Sequence, residues 1–600
     1  MLKQVIVIGG GLSGLSAAHT VIENGGTVIL LDKNPFCGGN STKATSGLNA
    51  ALTKTQIRKG IEDSAEIFEK DTVLSSHLGK DSTPYPLAKT LTKESDPCVE
   101  WLTSSFGIDL SLVSRLGGHS HPRTHRGKER FPGMTITYAL LEKLEEIEKN
   151  TKGQTAKIIT KAKATNLIHD ENNNVIGVEY VKDGKTFKEY GAVVIATGGF
   201  GADFADDSLL KKYRPDLAHL PTTNGSHCSG DGLKMAASVG ADLIDMEWIQ
   251  VHPTGLVHPD DPNSKVKFLA AEALRGVGGI LLDANGKRFC DELGRRDYVT
   301  GEMNKNKGPF RLVLNSKAGK EIEWHCKHYT GRKLMKFFEN GKKLAEEMKI
   351  NPDVLVDTFN KYNKAATDKK DDYGKKFFHN TPFDVNDSFW VSIVTPVVHY
   401  CMGGVKISTE AEVMTKDKTI GGLFAAGEVT GGVHGKNRLG GNSLLECVVF
   451  GRIAGKSAVK YMLRNNIEKA GSSNFVGSKC FNRLSLIKNQ LDSGNEKLKE
   501  YSMDDVKAHA KEGDCWVVLF GKVYDVSKFM EDHPGGKDSI MLYAGQDATE
   551  QFDLMHQNSV LIKYGPGLCI GILKGNKTSN KEEGKKNYGI QKKSELTHRF

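Results

Sequence analysis

The 600-residue chain carries ten cysteines (Cys37, Cys98, Cys228, Cys290, Cys326, Cys401, Cys447, Cys480, Cys515 and Cys569), yet no Cys-x-x-Cys pair. That scatter excludes a disulfide framework, a zinc ribbon and a cysteine-held iron–sulfur cluster, and a reducing compartment is expected. Long apolar runs are missing too, since none approaches the ~20 residues of a bilayer-spanning helix. Met1 runs at once into an apolar segment, so neither a signal nor a transit peptide is expected, and the expected location is the cytoplasm. Strong charge of one sign is also absent, with Lys+Arg 82 against Asp+Glu 73 for a net +9. The densest basic stretch follows Gly575, where Lys577, Lys581, Lys585, Lys586, Lys592, Lys593 and Arg599 face only Glu582, Glu583 and Glu595. It reads as a solvated, disordered tail (576–600) and not as a nucleic-acid surface. A hydrophobic content of 38% and a charged content of 26% leave a globular protein. Its length suggests three or four domains at ~150 residues each.

Gly9, Gly11 and Gly14 form a Gly-x-Gly-x-x-Gly run directly after Val5-Ile6-Val7-Ile8. The flanks read as strand (4–8), helix (12–24) and strand (27–32), the βαβ setting in which such glycines hold a dinucleotide. The glycines permit a tight turn and close approach to a pyrophosphate, whose charge the helix N-terminus meets. Asp32 ends the second strand, 18 residues past Gly14, where a carboxylate accepts from ribose hydroxyls.

FAD is favoured over NAD because further pieces of a larger flavin fold follow. Residues 174–181 and 185–190 pattern as a hairpin around Asp183-Gly184, feeding a strand at 192–197 and then Gly198-Gly199. Far later, 422–426 reads as another strand entering Gly427-Glu428-Val429-Thr430-Gly431-Gly432. A helix is expected from about Gly441-Asn442-Ser443, its N-terminus supporting negative charge at the flavin N1–O2 edge. Between these halves lies a segment with Lys-rich helices expected at 332–348 and 354–367, read as an insertion that caps the flavin. The expected architecture is an α/β, Rossmann-like flavin domain in two segments (1–246 and 399–465) with an inserted α+β capping domain (247–398). A polar linker (466–498) and a small α+β unit (499–575) complete it.

In that small unit, Tyr501-Ser502-Met503-Asp504-Asp505-Val506, Trp516-Val517-Val518, Lys522-Val523-Tyr524-Asp525-Val526, His533-Pro534-Gly535-Gly536 and then His556 follow an order that resembles cytochrome b5. The resemblance covers about the last eighth of the chain and implies a haem b held by His533 and His556, 23 residues apart. Bis-histidine ligation leaves no open iron position, so such a haem carries one electron and binds no oxygen. The family's usual membrane tail is absent, which implies a soluble carrier.

The rest of the chain, nearly all of 1–465, resembles the soluble fumarate reductase branch of the succinate dehydrogenase/fumarate reductase flavoproteins. The motifs are His252-Pro253-Thr254, Glu272-Ala273-Leu274-Arg275-Gly276, Arg288-Phe289-Cys290-Asp291-Glu292, Arg296-Asp297, His399-Tyr400-Cys401-Met402-Gly403-Gly404 and Gly432-Val433-His434-Gly435-Lys436-Asn437-Arg438-Leu439-Gly440-Gly441-Asn442. The resemblance implies a dicarboxylate substrate, fumarate or succinate, with Arg438 holding one carboxylate and His252 and His399 donating to its oxygens. It implies Arg296 as proton donor, resupplied through Glu272 and Arg275. FAD contacts implied in the same way are Gly39, Asn40, Ser41, Gly47, Gly198, Asp231, Glu428, Ser443 and Leu444. Where membrane-bound relatives carry a histidine bonded to the flavin, residues 40–47 have none, so non-covalent FAD is expected.

Taken one at a time, these residues read more blandly. Arg296-Asp297 is then a surface ion pair, His252 a turn residue, His399 a strand cap, Glu272 and Arg275 a helix-surface pair, and His434 structural. Ala271 and Tyr400 depart from some bacterial relatives, which carry threonine and a second histidine there. Arginine's planar fork suits a carboxylate, and positive groups placed where charge develops supply much of catalysis. The expected activity is therefore fumarate reduction, with electrons entering at haem from an NADH-linked flavin reductase or cytochrome b5 reductase. The alternatives are another unsaturated acid of urocanate or acrylate type, or a non-catalytic electron relay.

Overall fold

The computed structural model describes residues 4–77, 86–128, 130–471, 499–533, 535–556 and 558–574. The chain divides into two compact units, one up to residue 481 and one from residue 482.

The first unit is organised on a six-stranded sheet in the order Glu412–Met414, Thr419–Ala425, Ala192–Ile195, Val5–Ile8, Val28–Leu31, Ala156–Ile159. The last five run parallel and the first is antiparallel. Val5–Ile8, Val28–Leu31 and Ala192–Ile195 are buried along their whole length. This is why they read as unbroken apolar runs and not as alternating ones. Val5–Ile8 pairs with Val28–Leu31 on one side and Ala192–Ile195 on the other, so the chain reverses direction across the sheet at its carboxyl end. Ligands of open α/β sheets bind at such a switch point, and the glycine loop sits there. The hairpin has its expected place: Lys182 pairs with Lys185 across Asp183 (φ 49) and Gly184 (φ 73), two left-handed residues as a type I′ turn requires.

The inserted region forms its own antiparallel sheet, in the order Ile249–Leu256, Phe389–Cys401, Phe310–Asn315, Ile280–Leu282, with Lys336–Phe338 also paired to Phe389–Cys401. Helices Gly341–Met348 and Pro352–Asp368 cover it, packing Leu344, Leu355 and Phe359 on Ile280, Val313 and Phe389. The helix expected over 332–348 does not form as one element. Its first part is the strand Lys336–Phe338, and the helix begins at Gly341 behind Asn340, whose side chain accepts from the Lys343 N–H (3.0 Å). The aromatic pair Phe337-Phe338 favours a strand, and Asn340 is a helix start signal. Strand Phe389–Cys401 passes the expected boundary at 398, so His399 stands on the insertion's sheet. Helix Asn442–Gly471 runs past 465 into the expected linker. The remainder of that linker, the tail 576–600 and Pro534 lie outside the described residues.

The second unit is a small five-stranded sheet in the order Lys499–Tyr501, Cys569–Leu573, Lys522–Asp525, Asp514–Leu519, Ala510–Lys511, with short helices around it. Ser502 opens the first of these through a reciprocal cap with Asp505. Among the described residues no helix is long and apolar enough to cross a membrane.

Candidate active site

The dinucleotide cradle is built on backbone. Gly9 has φ 110, and a Cβ there would lie 2.3 Å from the Ala196 carbonyl oxygen. A Cβ at Gly14 would lie 1.9 Å from the Gly9 carbonyl oxygen, so only glycine lets the helix approach the strand. At Gly11 the space is open, with Ser41 Oγ the nearest atom at 3.6 Å. Gly11 also begins helix Leu12–Glu23 without a capping side chain or an acidic residue in the first turn. Helix N-termini of this kind present unmet N–H donors to an anion. These features fit the pyrophosphate of FAD.

Asp32 buttresses the loop: its two oxygens accept from Gly10 N–H and Asn34 N–H, each at 2.8 Å. Burial pushes its carboxyl up from the ordinary value while those two bonds pull it back. Each oxygen retains a second lone pair for a ribose hydroxyl. Ser41 Oγ accepts from Leu12 N–H (3.1 Å), and Asn40 donates to Asn224 Oδ1 (2.6 Å) and Cys228 Sγ (3.0 Å), so the turn Gly39–Lys43 is tied to both flanks. Gly47 approaches the His125 carbonyl within 2.5 Å of a would-be Cβ, whereas Gly198 faces open space. Glu428 accepts from Cys401 N–H (3.0 Å), and burial raises its carboxyl to about 7. Asp231 is paired with Lys33 (2.7 Å), and Ser443 and Leu444 lie in the first turn of Asn442–Gly471.

The six residues expected at the substrate converge on one buried centre. Arg296 begins helix Arg296–Lys305 and is 6% exposed. Its Nε (2.8 Å) and Nη2 (2.5 Å) donate to Glu272 Oε2, and its Nη1 donates to Gln250 Oε1 (2.6 Å). The surface-pair reading fails, because Asp297 pairs instead with His77 at 2.7 Å. Arg275, fully buried, lies 3.7 Å from Glu272 Oε1 and donates to the Glu292 carbonyl (2.6 Å). Burial alone would raise the Glu272 carboxyl, but the Arg296 and Arg275 guanidiniums outweigh it and hold it well below the usual range.

His252 stands on strand Ile249–Leu256, 5.0 Å from His399 between ring centres. Its Nδ1 accepts the Thr254 N–H (3.2 Å), which puts the proton on Nε2 by hydrogen-bond assignment. That buried Nε2 has no hydrogen-bond partner and lies 3.7 Å from Glu272 Oε2. Burial first, and Arg296 second, lower His252 to about 3, so it is a neutral donor. His399 is likewise pushed well below its ordinary value by burial, and its Nδ1 meets Thr223 Oγ1 at 2.8 Å. Arg438 is 3% exposed and donates to the same Gln250 Oε1 (3.1 Å). Its buried Nε has no hydrogen-bond partner. Burial, and then Arg296, lower it to about 10.

Gln250 was missed from the sequence, although it lies two residues before His252, on the strand position that shares a face with it. It also donates to Asn437 Oδ1 (3.1 Å) and the Arg438 carbonyl (2.7 Å). One amide thus spaces two guanidiniums. Such a centre, cationic and lined by neutral imidazole donors, has room in its electrostatics for a small anion with carboxylates at both ends.

In the second unit the His533 and His556 rings come together at 5.8 Å between centres, tilted by 47°, a separation that one metal atom held by both would fit. Met530, Val526, Ala544, Phe529, Tyr543 and Phe552 belong to the apolar cluster of this unit, and Phe552 stacks on His556 at 4.6 Å. An apolar cluster beside two neighbouring imidazoles fits a haem.

A flavin cradle joined to a buried cationic centre defines an FAD-dependent oxidoreductase. Residues 4–444 match the family model described as FAD binding domain, and residues 502–574 match the cytochrome b5-like Heme/Steroid binding domain. Of the two ligands in the latter description, the paired imidazoles fit the haem. The chain is 48% identical to "Fumarate reductase" of Schizosaccharomyces pombe over 476 residues (78% of this chain, 92% of the relative). It is 41% identical to "Fumarate reductase 1" of Saccharomyces cerevisiae over 474 residues (76% and 98%). Its fold matches the open conformation of a flavocytochrome c3 fumarate reductase with a TM-score of 0.60 at 32% identity (77% and 78% covered). The chain belongs to the FAD-binding flavoprotein family that includes the fumarate reductases, and it carries a cytochrome b5-like haem domain in addition.

Proposed function

We propose that this chain reduces fumarate to succinate, with electrons entering through the b5-type haem. The observation that carries the reading is the pair of buried guanidiniums, Arg296 and Arg438, spaced by one amide oxygen of Gln250 beside the buried His252 Nε2, whose nearest recorded partner is Glu272 Oε2 at 3.7 Å. When bound, FAD supplies the hydride at N5 and haem supplies single electrons. Arg438 forks one carboxylate of the substrate, and His252 and His399 donate to its oxygens. Polarising that carboxylate draws electron density from one alkene carbon, which then accepts the hydride. Arg296 delivers the proton to the other carbon.

A guanidinium gives up a proton reluctantly, so this transfer is concerted with reprotonation from the Glu272 side. Glu272 rests as an anion between Arg296 and Arg275, and it passes a proton along without storing one. Donors fixed in a dry site cost no reorganisation as charge develops, and each contributes about 10²–10³ in rate. The electron donor is an NADH-linked flavin reductase or cytochrome b5 reductase, and the setting is the cytoplasm. The cytoplasmic setting is in keeping with the free, buried cysteines Cys98, Cys228, Cys290, Cys326, Cys401 and Cys447.

Steady-state turnover with dye-supplied electrons over a panel of acids tests the substrate. Fumarate is expected to give the highest kcat/KM, and a higher value with urocanate or acrylate would overturn that choice. The absence of turnover with every acid would leave an electron relay.

A further inference from the structure

Arg438 is gripped by two residues that sit opposite each other on neighbouring strands. Gln250 and Tyr400 are cross-strand partners in the insertion's sheet. Gln250 Oε1 takes the edge of the guanidinium, and the Tyr400 ring lies 4.2 Å from the guanidinium carbon, so the cation rests on its face. The Tyr400 hydroxyl donates to Glu446 Oε2. The same oxygen receives His434 Nε2 (2.9 Å), while Thr430 Oγ1, which donates to the Gly427 carbonyl (2.9 Å), lies 3.3 Å from Oε1. Glu446 is fully enclosed on helix Asn442–Gly471. A buried carboxylate is costly unless something holds it charged. A glutamine would satisfy hydroxyl and imidazole donors at lower cost. What an amide lacks is negative charge, and the phenol that this carboxylate takes carries the Arg438 guanidinium on its ring face.

Resting on the reading of Arg438 as the carboxylate anchor, we propose that Tyr400 and Glu446 are positioning residues that set this protein's affinity for its dicarboxylate. A carboxylate accepting from a phenol pushes electron density into the ring, and the enriched face attracts the guanidinium more strongly. The cation is thereby held flat, with its fork open toward the substrate. Neither residue takes part in hydride or proton transfer, so the effect falls on binding. His434 fixes the carboxylate from behind, which gives the His434 noted in the sequence a supporting place in the chain Arg438–Tyr400–Glu446–His434.

The test is a set of variants with bound FAD verified by absorbance, assayed with fumarate and reduced viologen. Tyr400→Phe and Glu446→Gln are each expected to raise KM about 5–20-fold with kcat within about 3-fold, the size of a cation–π contact and its polarisation. Tyr400→Leu raises KM further, because the platform itself is lost. The double variant Tyr400→Phe/Glu446→Gln is no worse than the poorer single, since both act through one bond. An unchanged KM in either single variant, or additive effects in the double, overturns the proposal. Glu446→Gln preserves volume and acceptor oxygen, so it carries the test alone if Tyr400→Phe fails to retain flavin. Arg438→Ala separates the two claims: an unchanged fumarate KM there sinks the anchor reading itself. A raised KM there, with Tyr400→Phe unaffected, sinks only the positioning role.

Discussion

Around Arg296 the protein buries charge, whereas around His533 and His556 it buries hydrocarbon. Arg296, Arg438, Arg275 and Glu272 are all nearly inaccessible, and each guanidinium is held by an amide, a carboxylate or a ring. The second unit sets its two partly exposed imidazoles in a cluster of Val, Met, Phe and Ala side chains. On the function proposed, the difference follows from what each site must discriminate. A small dianion is recognised by compensating its charge, and the cost of assembling that charge is met by ion pairs already in place. A flat apolar macrocycle is recognised by area, with polar groups needed only at the metal. One site therefore fails when a single charge is removed. The other fails when a ligand to iron is removed, and neither loss need carry over to the other.

The sharpest break of that comparison is Arg296→Ala. It is expected to lower kcat for fumarate by about 10³–10⁴, with flavin and haem absorbance retained. Loss of both chromophore signals would mean a folding role instead. Glu272→Gln keeps the shape but removes the anion that bridges Arg296 and Arg275, and about 10² in kcat should go, measured in the same dye-driven assay.

Acid should act on the flavin unit through its buried histidines. Burial, the largest cause in each, lowers His119 and His125 to about 4, and His252 and His325 to about 3. Unfolded histidine titrates near ~6.5, so below that pH the unfolded chain binds protons that the folded chain does not. Stability is then full above ~6.5 and falls as the pH drops, by up to about 2 kcal/mol per histidine at pH 5. The thermal midpoint of flavin release, followed by fluorescence from pH 7 to 5, should fall steadily; a flat profile contradicts the buried, neutral assignment.

The smallest effect is the most telling for the comparison. His556→Ala should abolish the haem spectrum and any electron entry by that route. With viologen as reductant, fumarate turnover per flavin should stay within about 2-fold.

Local pattern made much of this legible. The glycine loop and the hairpin turn at Asp183-Gly184 are set by short-range constraints that sequence displays, whereas the histidine pair of the small unit was legible only through its resemblance to cytochrome b5. Gln250 was not legible, because its meaning comes from Arg296, 46 residues on, and Arg438, 188 residues on. Glu446 reads as one more polar residue on a helix until Tyr400 is brought to it from 46 residues away. The misread stretch at 332–348 had helix-favouring lysines, but pairing of Phe337 with Trp390 and Phe338 with Phe389 across the sheet overrode them. His399 was read as a residue of the flavin segment because nothing local marks that a thirteen-residue strand runs through it.

The central claim is that electrons stored on the chain leave through the Arg296–Arg438 centre onto fumarate. Mixing the fully reduced, anaerobic protein with fumarate while following flavin and haem absorbance tests it directly. Both chromophores should reoxidise with stoichiometric succinate, and Arg296→Ala should stay reduced. Chromophores that remain reduced in the unmodified protein, or an Arg296→Ala variant that reoxidises just as fast, would contradict it.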